Sequence, residues 1–245
     1  MRYLFITTQL VLAIATISRA DDRPPAPAEI QAQISALIAN PDRPERHVVR
    51  DQYRHPLETL TFMGIDPSET VVEIFPGGQG GWYRRIIEPL IEQGGGEYYP
   101  VRGRAGWPES PADGVPYGEV DMVFVFRVHG FLIYGAPAED HVADIFRMLK
   151  PGGYFGIVDH AELESVEQDP VSQNGYVKES YFRAMAEAAG FELVRTSDVN
   201  RNPADTKEHP MGVYSLPPSL RGPNKDEHRM IGESDRFTHL YRKPN

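Results

Sequence analysis

The chain has 245 residues, 40% of them hydrophobic and 24% charged, with 22 Gly, 22 Pro and no Cys. That length suits one large domain with a sizeable core, and without cysteine there is no disulfide framework, thiol nucleophile or thiolate metal site. With 25 Lys and Arg against 35 Asp and Glu the formal charge is -10, which speaks against a broad basic face for nucleic acid; the ordinary apolar content and aperiodic Gly and Pro exclude collagen-like, coiled-coil and disordered chains.

Residues 1–20 differ from the rest. A short basic start (Met1-Arg2) leads into the apolar run Tyr3 to Ile17, then Ser18-Arg19-Ala20 ahead of Asp21-Asp22. Small residues at 18 and 20 fit a signal-peptidase site, and the run is short for a membrane span. The expectation is an exported, periplasmic protein starting near Asp21, with no membrane insertion once the leader is removed. Cleavage takes away Arg2 and Arg19, leaving 23 basic residues against 35 acidic, or -12.

Residues 21–28 (DDRPPAPA) read as a polar, Pro-rich linker. Glu29 to Asn40 carries Ile30, Ile34, Leu37 and Ile38 at helical spacing, and together these make residues 21–45 a linker and N-terminal helix ahead of a main domain at 46–245. Glu45 to Met63 is predicted helical as far as Arg54, with a break or restart at Pro56. The pattern then alternates. Strands are expected at Thr70 to Phe75, Glu97 to Val101, Asp121 to Phe126 and Tyr154 to Val158, the last after a Lys150-Pro151-Gly152-Gly153 turn. A further one follows at Phe191 to Arg195, and Phe237 to Tyr241 is strand-like. Helices are expected at Trp82 to Gln93, Ala138 to Leu149 and Ser180 to Ala189, with Gly190 as C-cap. Continuous apolar strands separated by helices define an α/β class, a mostly parallel sheet covered on both faces.

The most informative segment is Val71-Val72-Glu73-Ile74-Phe75-Pro76-Gly77-Gly78-Gln79-Gly80-Gly81, a buried strand running through glycines into a helix. Glycine permits positive φ and close backbone approach to a ligand, and the N–H groups that open the next helix favour an anion. The spacing is neither G-x-G-x-x-G, since Tyr83 takes the last glycine position, nor a P-loop. The strand, acid, glycine turn and helix, with the later Leu149-Lys150-Pro151-Gly152-Gly153 turn, resemble a Rossmann-like class I S-adenosylmethionine-dependent methyltransferase.

More narrowly, Arg50 to Pro56 (RDQYRHP), Val72 to Gly78, Gly81-Trp82-Tyr83, Asp159-His160, Asn202 to Asp205 (NPAD) and Gly232 to Arg236 (GESDR) resemble a group of exported bacterial predicted methyltransferases over most of residues 46–244. The resemblance implies S-adenosylmethionine as cofactor, a small-molecule methyl acceptor, and a cofactor site lined by Glu73, Gly77, Gly78, Gly80 and Asp121. The chain departs from the pattern in three places. Phe75 stands where the motif has its first glycine; Arg102 follows the second strand where an acid usually grips the ribose, and a guanidinium accepts no hydrogen bond; and residues 102–120 are too few for the usual helix, strand and helix.

Ligands of open α/β sheets bind beyond the carboxyl ends of the strands. There the sequence offers Arg127 and His129 after one strand and Asp159-His160 after another. His129 or His160, oriented by Asp159, is the candidate general base. His129, Asp159, His160 and Glu162 are potential ligands but show no H-x-H or H-x-x-x-H spacing, so a metal is only a minor alternative and none is assigned, and no G-x-S-x-G elbow supports a hydrolase. Tyr53 and His55 are substrate candidates on a helix covering the cleft. Trp82 and Tyr83 either stack on a ligand ring or pack the first helix. The polar tail from Asn200 to Asp235 reads as a lid or binding loop, with Asp198, Asn202, Asp205, Asp235 and Arg236 as contributors. Two rival readings stay open: a binding protein that has kept the cleft for another ligand, and a different enzyme using Asp159, His160 and His129.

Overall fold

In a computed structural model of the chain, residues 23–77, 81–102, 107–108, 111–127 and 137–245 are described. The leader expected at 1–20 lies outside them, as do Gly78, Gly80 and His129. No helix among the described residues is long and apolar enough to cross a membrane.

The strands are β1 (Thr70–Ile74), β2 (Glu97–Val101), β3 (Val120–Phe126), β4 (Leu149–His160), β5 (Glu192–Ser197) and β6 (Arg236–Arg242). They form one sheet in the order β2-β1-β3-β4-β6-β5. The pairings among β2, β1, β3 and β4 are parallel, and β6 runs antiparallel between β4 and β5. β1 and β3 are buried over nearly their whole length, which is why both read as unbroken apolar runs rather than alternating ones.

Helix α1 (Ala28–Ile38), the short α2 (Glu45–Val48) and α3 (Asp51–Arg54), α4 (Pro56–Met63) and α5 (Arg84–Gly94) come from the first half of the chain. The second half supplies α6 (Ala138–Met148), α7 (Glu179–Ala188) and α8 (Lys225–Ile231). Strand alternation divides the core into two layers. Val71, Met122, Phe124, Phe126 and Val158 pack with α1, α4 and α5. Val72, Ile74, Val123, Val125, Phe155 and Ile157 pack with α6 and α7 on the other face.

Several boundaries differ from the periodicity. The Pro-rich stretch at 23–27 is no free linker: Ala26 is buried, its N–H bonds Thr61 O at 2.9 Å, and Arg23 pairs with Glu69. The single helix expected up to Arg54 is two short ones, and the chain restarts at Pro56 after His55 takes a left-handed φ of 41°. The Lys150 to Gly153 turn belongs to β4, because Leu149 already pairs with Val120 and Gly152 N–H bonds Lys243 O. The Asn200 to Asp235 tail is ordered by side-chain hydrogen bonds rather than apolar periodicity, so periodicity could not show it. Among the described residues no strand lies beyond β2, in keeping with the short 102–120 connection.

Candidate functional site

The chain leaves β1 toward β2 on one side and returns to β3 on the other. This reversal of strand order opens a crevice at the carboxyl ends of β1 and β3. Both exits are in left-handed conformation although neither residue is glycine: Phe75 has φ 54° and Arg127 φ 75°. Such backbones cost on the order of 1–3 kcal/mol and collect at functional sites. The turn after β1 continues through Gly77 at φ 79° and closes on Gly81, where an added Cβ would lie 1.6 Å from Pro76 O. Phe75, standing where the motif has its first glycine, thus takes a backbone conformation that glycine adopts freely; its ring packs edge-on to Trp107 at 5.9 Å.

The remaining cofactor candidates divide. Glu73 is 2% exposed, and its Oε2 accepts the Tyr98 hydroxyl at 2.6 Å. Burial lifts this carboxyl to about 7, against the Tyr98 hydrogen bond and Arg84, which pull it down. Asp121 corrects the sequence reading. It is the second residue of β3, at the amino end, where it accepts Thr70 N–H at 2.9 Å and pairs with Lys150; the length of the sheet separates it from the crevice. Arg102, past the end of β2, is exposed.

At the end of β4, Asp159 is buried and its Oδ1 accepts the His160 N–H at 2.8 Å. The His160 ring is half-buried, with Nδ1 hydrogen-bonded to Ser234 Oγ. Sequence reasoning missed Ser234, although it stands inside the GESDR motif. That motif is the hub of the site. Glu233 takes Arg50 Nε on one oxygen, and Arg54 Nε at 2.9 Å and Arg236 Nη1 at 3.2 Å on the other. Burial alone would raise the Glu233 carboxyl, but Arg54, Arg236 and Arg50 outweigh it and hold it at about 2. Asp235 takes the Asn202 N–H at 2.8 Å and Lys207 at 3.0 Å, and its own N–H goes to Asp205. Arg236 donates to Tyr53 O at 2.6 Å. The RDQYRHP, Asp159-His160, NPAD and GESDR segments, far apart in sequence, are thus one bonded cluster at the carboxyl edge.

The aromatic candidates also divide. Trp82 and Tyr83 are buried in packing and present no face to a ligand. Trp82 Nε1 donates to His47 O at 2.8 Å, with Arg54 over its ring at 5.1 Å, and Tyr83 stacks on Phe126 at 3.6 Å. Their substrate role is withdrawn: a strand-to-helix turn this tight tucks the first helical residues under α2 and α3. Tyr53 and His55, by contrast, line a cavity of about 200 Å3 with Asn200, Asn202, Ile231 and Arg236. A larger cavity of about 590 Å3 lies between residues 23–33 and 64–69, at the amino end of β1 and so away from the carboxyl ends of the strands. Among the described residues no group of His, Asp and Glu is arranged to hold a metal ion.

No protein-family model and no curated protein sequence matches the chain; its likeness is to solved structures. An S-adenosylmethionine-dependent methyltransferase from Aquifex aeolicus superposes with a TM-score of 0.51 at 14% identity, over 86% of this chain and 97% of that one. A geranyl diphosphate C-methyltransferase from Streptomyces coelicolor A3(2), solved with Mg2+, geranyl diphosphate and S-adenosyl-L-homocysteine, superposes with a TM-score of 0.50 at 14% identity, over 90% of each chain. At such identities the likeness speaks for the fold. This is a protein of Rossmann-like class I methyltransferase fold, with its glycine turn, His160 and arginine–glutamate hub on the edge where that architecture binds ligands.

Proposed function

We propose that the chain is an S-adenosylmethionine-dependent methyltransferase acting on a small molecule outside the cytoplasm. The observation that carries this is the turn after β1 at the strand-order reversal, where Phe75 and Gly77 take left-handed conformation and Gly81 packs against Pro76. A backbone without side chains at Gly77 and Gly81 fits close approach by the amino-acid portion of the cofactor. The end of β2 fits less well, since Arg102 offers the ribose hydroxyls no acceptor; the turn is therefore the main hold. When bound, the cofactor supplies an electrophilic methyl group.

The residues of the chain account for the rest. Tyr53 and His55, with Asn200 and Asn202, bound the cavity for the acceptor. His160, oriented through Nδ1 by Ser234 and through its backbone by Asp159, removes the acceptor's proton. The α2–α3 segment, fastened to Glu233, shields the site from water. Orientation supplies much of the acceleration and proton removal the remainder.

Calorimetric titration with S-adenosylmethionine and S-adenosylhomocysteine tests the reading. Binding at roughly micromolar Kd supports it; no binding to folded protein overturns it and favours a cleft kept for another ligand, as the changes at Phe75 and Arg102 would suit. Export rests on residues 1–20 alone. An intact mass beginning at Asp21 in a periplasmic extract supports it, and one retaining Met1 overturns it.

A further inference from the structure

The hub carries more positive charge than its own bonding requires. Arg50, Arg54 and Arg236 share the single carboxylate of Glu233. Among the described residues, Arg43–Asp51, Arg84–Glu88 and Arg23–Glu69 are by contrast matched one to one. A fourth cation stands beside the three. Arg127 is exposed at the end of β3, its N–H bonded to Val158 O at 2.6 Å, and it lies close enough to interact with Arg54, Arg50, Glu233 and Arg236. The register fixes the geometry: Phe126 pairs with Val158 and His160 with Arg236. Arg127 is therefore level with Asp159 and Arg236 with His160, on either side of the end of β4 and two strand spacings or about 10 Å apart.

Two guanidinium donors of this set, Arg50 Nη2 and Arg236 Nε, are buried without a hydrogen-bond partner among the described residues, and Arg236 is only 3% exposed. Each such donor is costly and the like charges repel, and an entering anion would relieve both. Of the other acids nearby, Asp235 is paired with Lys207, and Asp159, level with Arg127, adds one negative charge, so four guanidiniums face the two carboxylates of Glu233 and Asp159. In a chain of net charge -10 the surplus stands out.

We infer that Arg127, Arg236 and Arg50 form a subsite for an oxyanion, the carboxylate or phosphate group of the methyl acceptor, set beside His160. Guanidinium forks suit both groups through paired N–H···O bonds. The inference rests on the reading of this edge as the acceptor site.

The test titrates the purified chain with sodium phosphate and, separately, sodium acetate at ionic strength held constant with chloride, following thermal unfolding and heat of binding. Saturable binding of at least one oxyanion is expected, with phosphate or acetate preference telling which group the subsite takes. Arg127→Gln, a change at an exposed side chain, should weaken that binding at least about tenfold and leave S-adenosylhomocysteine affinity intact; Arg236→Gln should do the same if it folds. No saturable binding of either oxyanion, or binding unaltered by Arg127→Gln, would overturn the inference. The two proposals fail separately: oxyanion binding without S-adenosylhomocysteine binding sinks methyl transfer and keeps the subsite, and the reverse sinks the subsite alone.

Discussion

At the scale of single residues, His160 carries the chemical argument and Glu73 the electrostatic one. His160→Ala should lower turnover by about 10²–10³-fold while leaving S-adenosylhomocysteine affinity within about twofold, since its ring is held by Ser234 at the end of β4. An unchanged kcat would dismiss it as the base. The place of Glu73 in the motif marked it for the cofactor, yet its carboxyl is sealed under α5 against Tyr98. Trp82 and Tyr83 were equally visible in the sequence, but exposure is a property of the packed turn, and no local pattern distinguishes a ring facing a ligand from one facing Phe126 or an arginine. Asp121 illustrates the converse: naming a strand does not say which end of it a residue occupies relative to the crevice.

At the scale of elements, the α2–α3 segment is too short to be stable alone and is held by contacts made from the other end of the chain. Glu233→Gln would leave Arg50, Arg54 and Arg236 buried without a counter-charge, so a loss of about 3–5 kcal/mol in urea unfolding at pH 7 is expected. The gap should narrow as pH falls toward 2, where the parent's own Glu233 becomes protonated. A variant as stable as the parent at pH 7 would show that the hub does not clasp these helices. β1, β3, β4, α5 and α6 were legible in the sequence because burial on one face or both writes itself as periodicity. The tail was not, because its order comes from Asn202, Asp205, Asp235 and Arg236 bonding to partners tens of residues away.

For the whole molecule, stability should vary with pH in a way set by a few buried groups. Glu233 and Glu179 are both held at about 2, Glu179 by hydrogen bonds from His239 and Arg201 against the penalty of burial. Their contribution is complete above the unfolded value of 4.5 and is lost as pH falls from there toward 2. Glu73, raised to about 7, acts with the opposite sign: its penalty begins near 4.5 and is complete above 7. His47, lowered to about 4 by burial and the surrounding arginines, loses stability as pH falls from 6.5. The His47 and Glu73 slopes offset, predicting a plateau between about pH 4.5 and 6.5. Glu73→Gln should match its parent near pH 4.5 and exceed it by on the order of 3 kcal/mol at pH 8; equal stability at pH 8 would show that Glu73 ionises freely in the fold.

By itself the amino-acid sequence determined the α/β class, most of the strands, the glycine turn and the leader-like start. These follow from hydrophobic periodicity and local backbone chemistry, which act over a few residues. Only the tertiary structure decided that Asp121 faces away from the site, that Trp82 and Tyr83 are core, and that Ser234 meets His160. It also decided that Arg50, Arg54 and Arg236 gather around one glutamate. Each depends on which strand ends lie together and on long-range hydrogen bonds in a buried, low-dielectric edge, and those neighbours are chosen by the packing of the whole sheet.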